Sequence, residues 1–201
     1  MNNQIKAFIF DLGGVLIKTE DPAPRIELAS QFQTTREDLE RWVFLSQSSI
    51  ESEQGLITAE DHWHVVMDHY GQNQIDAAKF SEQFFSGDVL DQQLLEFIRR
   101  IRKKYLTGLL SNAWKNARKS LSERFNFLDD FDAVVFSSEV GIRKPDPCIY
   151  FELLGKLGFQ PQESIFTDDS RENVEAARQI GMKAIHFTST ERFIKEASSL
   201  D

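Results

Sequence analysis

The sequence predicts an α/β fold, a parallel sheet flanked by helices with an inserted α-helical cap, and three observations carry that prediction. Short apolar runs of strand length recur along the chain and end in polar residues. Amphipathic helical stretches separate the later runs, the alternation that builds a parallel sheet through crossover connections. One long early segment breaks the alternation and reads as helical throughout. These patterns set the expected boundaries at 1–17 and 87–201 for the core and 18–86 for the cap.

The first run, Ile5 to Phe10, stops at Asp11 and is followed by Gly13-Gly14, a buried strand feeding a tight turn. Within the cap, Gly55 marks a turn, and Thr58 with Asp61 reads as a capping box ahead of a helix carrying Trp63, Val66, Met67 and Tyr70. Leu90 to Tyr105 reads as a helix with Leu94, Phe97, Ile98 and Ile101 on its apolar face. The basic run Arg99 to Lys104 closes that helix, where cations complement the macrodipole, so a solvated helix end explains it better than a nucleic-acid patch. The second strand, Leu106 to Leu110, ends at Ser111-Asn112, ahead of a helix from Trp114 to Phe125. Ala133 to Phe136 ends at Ser137-Ser138. Asp146 before Pro147 then puts a side-chain acceptor at the cap and proline at the first helical position of Pro147 to Leu157. Ser164 to Thr167 ends at Asp168-Asp169, the helix Glu172 to Ile180 stops at Gly181, and Lys183 to Phe187 is the last run.

At 201 residues the chain can bury one good core with a small accessory module. A formal charge of -9 argues against nucleic acid or an anionic membrane as a standing partner. Cys148 is the single cysteine, which excludes an internal disulfide and fits a reducing cytoplasm. No apolar run approaches the span of a bilayer. A cytoplasmic monomer or weak homodimer is the expected form.

In a parallel sheet, ligands bind at the carboxyl ends of the strands. That end supplies Asp11, Ser111-Asn112, Lys144 in the loop Gly141 to Pro145, and Asp168-Asp169. Singly, each has an ordinary reading as turn residue, helix cap or surface lysine. Together they make a chemical set. A carboxylate at a strand tip, beside glycines that expose amides, can attack phosphorus and form an aspartyl-phosphate. Mg2+ held by Asp11, Asp169 and a backbone carbonyl would screen the repulsion between two anions. Ser111, Asn112 and Lys144 would bind the transferring group as its charge grows.

These segments resemble the four signature motifs of the haloacid dehalogenase superfamily: Phe10-Asp11-Leu12-Gly13-Gly14-Val15-Leu16, Leu109-Leu110-Ser111-Asn112, Arg143-Lys144-Pro145, and Phe166-Thr167-Asp168-Asp169-Ser170-Arg171-Glu172-Asn173. The resemblance implies a Rossmann-like core with a helical cap inserted after the first motif. It implies Asp11 as nucleophile, Lys144 as its catalytic partner, and Ser111, Asn112 and Gly14 as phosphate-binding positions. For the metal it implies Asp11, the Gly13 carbonyl and Asp169, with Asp168 supporting from behind and Asn173 orienting the lysine or the ligands.

One position departs from the family's phosphatases, which usually carry an acid two residues after the nucleophile; here it is Gly13. Losing such a group typically costs about 10²- to 10⁴-fold. Either another residue supplies the proton or the substrate is a small phosphorylated metabolite with a good leaving group, and a sugar 1-phosphate or other small phosphomonoester is the expected substrate. The same departure raises two alternatives, a metal-free 2-haloacid dehalogenase and a non-catalytic binding protein on this fold. In the cap, Arg41, Trp42, Glu51 and Trp63 are candidate substrate contacts, with Trp114 nearer the phosphate site. His62 and His64, two apart on a helix, face different directions and do not suggest a shared metal.

Overall fold

The computed structural model describes residues 4–72 and 74–198. Strand β1 (Ala7–Phe10) is buried along its whole length. A short strand β2 (Ile17–Thr19) follows, then five helices, α1 (Ala23–Gln31), α2 (Arg36–Leu45), α3 (Gln47–Glu53), α4 (Ala59–His69) and α5 (Ala77–Phe85). Strand β3 (Asp88–Leu90) returns the chain and pairs antiparallel with β2, Ile17 opposite Leu90. The cap is thus helical between its two linkers, but Lys18 and Thr19 belong to a two-stranded ribbon that the sequence reading missed. Three-residue strands are too short for a period-2 pattern to declare itself.

The core continues with α6 (Gln92–Ile101), β4 (Leu106–Ser111), α7 (Ala117–Arg124), β5 (Ala133–Phe136), α8 (Ser137–Val140), α9 (Pro147–Leu157), β6 (Ser164–Asp168), α10 (Arg171–Gln179), β7 (Lys183–His186) and α11 (Thr190–Ser198). All five core strands are parallel, in the order β5-β4-β1-β6-β7. Leu90, expected to open a helix, ends β3 instead. Asp91 accepts from the Leu94 amide, and α6 starts after it.

Alternation along β1 divides the core into two layers. Phe8 and Phe10 pack with Leu94 and Ile98 of α6 and Phe193 of α11. Ala7 and Ile9 pack on the other face with Ile149, Tyr150, Leu153 and Leu154 of α9. Gly108 of β4 is what lets α9 come so close, since a Cβ there would lie 2.9 Å from the Leu153 side chain. A third cluster is the cap's own, with Leu28, Val43, Trp63, Met67, Phe80 and Phe84. The basic run at the end of α6 is tied to the core's own acids: Arg99 bonds Asp130 through two nitrogens, and Arg102 reaches Asp132. No helix among the described residues is long and apolar enough to cross a membrane.

Candidate active site

Pairing register brings the chemistry together. Phe10 lies opposite both Leu109 and Thr167, so Asp11, Ser111 and Asp168 emerge side by side at the carboxyl edge of three adjacent strands. The Asp11 amide donates to the Thr167 carbonyl at 2.8 Å, extending the β1–β6 ladder to the nucleophile position. Asp11 is buried, Asp168 fully so, and Asp169 is exposed. Carboxylate oxygens of all three lie within 4.8 Å of one another.

Lys144 sits at the centre of this group. Its Nζ donates to Asp11 Oδ1 at 2.6 Å, to Asp168 Oδ2 at 2.7 Å and to the Leu110 carbonyl at 3.1 Å. The side chain is 1 % exposed, so this is a buried cation satisfied by three oxygens rather than a surface lysine. Burial opposes its charge, yet the pull of Asp11 and Asp168 outweighs that and raises its pKa. Asp11 is moved the other way from a usual carboxylate, up to about 7, because burial and the neighbouring Asp168 outweigh the lysine. Asp169, though open to solvent on one side, is also raised, by the partial desolvation of its carboxylate first and by Asp168 second. Carboxylates held this way have a strong electrostatic demand for more positive charge.

The surrounding residues divide into those that brace the lysine and those that remain open. Asn112 accepts the Lys144 amide on Oδ1 at 2.7 Å and donates from Nδ2 to the Lys144 carbonyl at 3.0 Å. Its side chain therefore grips the lysine's main chain, which leaves one Nδ2 hydrogen for any contact with a phosphate. Asn173 donates to Asp168 Oδ2 at 3.0 Å, and the Ser170 amide to Asp168 Oδ1 at 2.7 Å. Both oxygens of Asp168 are thus engaged, which suits a support for Lys144 better than a direct metal ligand. The Lys144–Pro145 peptide is cis. Ser111 is buried, and its Oγ donates to the adjacent Asn112 carbonyl at 3.3 Å.

The first-motif turn corrects one expectation. Gly14 was expected to offer its amide to phosphate, but that N–H donates to the Ile17 carbonyl at 2.9 Å. Its need for glycine has other causes: φ is +72°, and a Cβ would fall 2.1 Å from Asp169 Oδ2. Gly14 makes room for the carboxylate instead. The turn's other bonds run from Leu16 and Ile17 amides to the Leu12 carbonyl, and neither uses the Gly13 carbonyl. Around Gly13 itself a Cβ would meet nothing within 4 Å. Space at the Cβ position is therefore not what excludes an acid here.

Sequence reasoning missed three further contacts. His186, at the end of β7, places Nε2 2.9 Å from the Asp169 carbonyl and so secures the loop carrying that carboxylate. Only the strand-end position signalled it. Glu53 of α3 is 9 % exposed and accepts from Arg143 Nε at 2.7 Å, joining cap to core one residue from Lys144. Tyr150 donates from its hydroxyl to the Asn173 carbonyl at 2.9 Å.

The cap's aromatic candidates have structural places. Trp63 is buried in the cap cluster, and Trp42 stacks on His69 with ring centroids 3.6 Å apart. Trp114 leaves the core and packs into that cluster, 5.0 Å from Trp63 and 4.6 Å from His62, with Nε1 donating to Ser49 Oγ at 3.1 Å. Arg41 pairs with Asp38, and Glu51 accepts from Gln47 on the surface. His62 is buried while His64 is exposed, so the two histidines do point apart. Cys148 is exposed, its thiol pushed up by a hydrogen bond to Asp146 and the charge of that carboxylate.

The chain is similar to known proteins in sequence and in fold. A sesquiterpene phosphatase of Aspergillus oryzae is 28 % identical over 191 residues, 94 % of this chain and 93 % of its own length. A D-ribitol-5-phosphate phosphatase of Bacteroides thetaiotaomicron is 28 % identical, covering 89 % of this chain and 90 % of its own. A crystal structure of a haloacid dehalogenase family enzyme from Bacteroides thetaiotaomicron, in complex with magnesium and inorganic phosphate, superposes with a TM-score of 0.77 at 27 % identity, over 92 % of this chain and 96 % of that one. Residues 5–181 match the sequence profile of the haloacid dehalogenase-like hydrolases, and the chain belongs to that family.

Proposed function

We propose that this hydrolase is a magnesium-dependent phosphatase of small phosphorylated metabolites that works through an aspartyl-phosphate on Asp11. The observation that carries the reading is the convergence of Asp11, Asp168 and Asp169 within 4.8 Å, gathered around the buried ammonium of Lys144. Relatives that act as phosphatases, and a neighbour holding magnesium with phosphate, support it.

The donor set fits a hard dication. All candidate ligands are oxygens, and glycine at position 14 leaves the space that Asp169 occupies. Asp11, Asp169 and the Gly13 carbonyl would hold the ion, with Asp168 behind. A bound magnesium ion would supply the charge that keeps Asp11 ionised and lessens its repulsion of an incoming phosphate.

Lys144 binds the transferring phosphoryl group, and the Ser111 hydroxyl turns from the Asn112 carbonyl to a phosphate oxygen. Asp168, Asn112 and Asn173 keep the lysine in place. Asp11 then attacks phosphorus as the leaving-group oxygen departs with the P–O bond, and water later hydrolyses the acyl-phosphate. With glycine at position 13, no side chain there protonates the leaving oxygen. This favours an anomeric leaving group, a less basic alkoxide, and so a sugar 1-phosphate over its 6-phosphate isomer. Magnesium should permit hydrolysis of p-nitrophenyl phosphate, whose leaving group scarcely needs protonation, and a chelator should abolish it. Folded protein that leaves this substrate untouched in magnesium would overturn the reading.

A further inference from the structure

The seam between cap and core holds an ion pair with unused hydrogen-bonding capacity. Arg143 donates from Nε to Glu53 Oε2 at 2.7 Å, and neither side chain makes another hydrogen bond among the described residues. One carboxylate oxygen and both terminal guanidinium nitrogens are left over. Glu53 is 9 % exposed, so its desolvation is nearly complete. A buried ion pair repays desolvation only when its remaining lone pairs and protons are also satisfied. The leftover oxygen and nitrogens are not among the buried groups without a partner, and the Arg143 side chain is 30 % exposed, so they face solvent at the seam, where a ligand that both donates and accepts can take the place of water.

Their place in the molecule says which ligand. Arg143 directly precedes Lys144, whose Nζ lies on Asp11, and the charge of Lys144 is felt at Glu53, so the pair is near the lysine that would meet phosphate. The cap turn after Glu53 is pressed against the core: Gly55 has φ +71°, and a Cβ there would lie 2.5 Å from the Ser138 carbonyl. This contact fixes the height of Glu53 above the sheet edge. Burial raises the Glu53 pKa, partly offset by Arg143 and then by Lys144, whose charge reaches it.

We infer that Glu53 and Arg143 form a hydroxyl-recognising subsite, the carboxylate accepting from and the guanidinium donating to vicinal hydroxyls on the organic part of a phosphorylated sugar or polyol. The inference rests on the phosphatase reading and narrows its substrate class. A plain alkyl or terpenyl chain would leave the pair unsatisfied and is disfavoured, because a site built for hydroxyls loses its hydrogen bonds when they are absent.

Non-hydrolysable phosphonates test this without any leaving-group chemistry. In calorimetry with the full chain and magnesium, 3,4-dihydroxybutylphosphonate should bind about 10- to 100-fold tighter than butylphosphonate, the span expected for hydrogen bonds to charged groups. In Glu53→Gln the advantage should shrink to about threefold or less, because a neutral amide no longer presents a carboxylate acceptor. Equal binding of the two phosphonates by the wild type would overturn the subsite and leave the phosphatase reading standing, and this comparison needs no variant to fold. An advantage kept in full by Glu53→Gln would overturn it as well. If neither phosphonate binds and p-nitrophenyl phosphate is not hydrolysed, the phosphatase reading fails and the subsite with it.

Discussion

Asp11 follows β1 directly, with its carboxylate 2.6 Å from Lys144 Nζ, and everything near it serves either that contact or the space beside it. Asn112 illustrates why side-chain roles were harder to read than residue types. Its place after a strand suggested phosphate binding, whereas its amide spans both polar atoms of the Lys144 peptide. Gly14 is similar: the glycine was legible, but its purpose, space for Asp169, needs the fold that brings β6 beside β1. Gly13 yields the sharpest expectation at this scale. Nothing within 4 Å obstructs a Cβ, and its φ is not in the left-handed region. Gly13→Asp should therefore fold with a melting temperature close to the wild type. It should raise turnover of phosphomonoesters with poor leaving groups by about 10²-fold, the lower end of what general acid catalysis supplies. Stopped assays on alkyl phosphates check this, and an unchanged rate in a folded variant would show that proton donation is not what the site lacks.

Helix α4 shows the same physics in one element. Its capping box was legible, and Thr58 and Asp61 do exchange bonds at its start. What pattern could not show is that His62 turns inward, donating to or accepting from Ser48 at 2.9 Å through Nδ1, while Nε2 makes no hydrogen bond of standard geometry among the described residues and the Val43 backbone only partly offsets the burial of the ring. Burial lowers its pKa from 6.5 to about 4. The unfolded chain therefore binds more protons than the native one between those values, so stability rises with pH across that window and is lost on acidification from about 6.5 toward 4. The loss should approach 3 kcal/mol, since one pKa unit corresponds to about 1.4 kcal/mol. Denaturant melts of wild type and His62→Leu at pH 7 and 4.5 would test it; the variant should lose this part of the acid sensitivity. Helix α7 differs from expectation for a tertiary reason. Its pattern began at Trp114, but the helix starts at Ala117, because Asn116 takes φ +71° and the indole is drawn away into the cap.

Across the whole molecule, the core's alternation of strands and helices was legible because both faces of its sheet are covered by apolar helices, which leaves an unmistakable record in composition. The seam between cap and core left no such record. Trp114, Glu53 and Arg143 meet their partners across separations of 65 to 90 residues, and each looks like an ordinary surface or core residue until the two parts are placed together. Trp114→Ala should cost about 3 kcal/mol, the low end for losing a large aromatic because the ring is only half-buried. It should also weaken phosphonate binding, since it frees α3 from the loop after Ser111. Thermal melts and calorimetry would check both, and a variant with unchanged binding would separate the cap from the site. Asp11 is proposed to act as a covalent nucleophile. Rapid acid quench during turnover of p-nitrophenyl phosphate in magnesium, followed by peptide mass spectrometry, tests it most directly. The peptide carrying Asp11 should gain the mass of one phosphoryl group, located on Asp11 itself and absent from Asp11→Asn and from chelator-treated protein. Sustained turnover with no phosphoryl group on that peptide at any quench time, or a label on another residue, would contradict it.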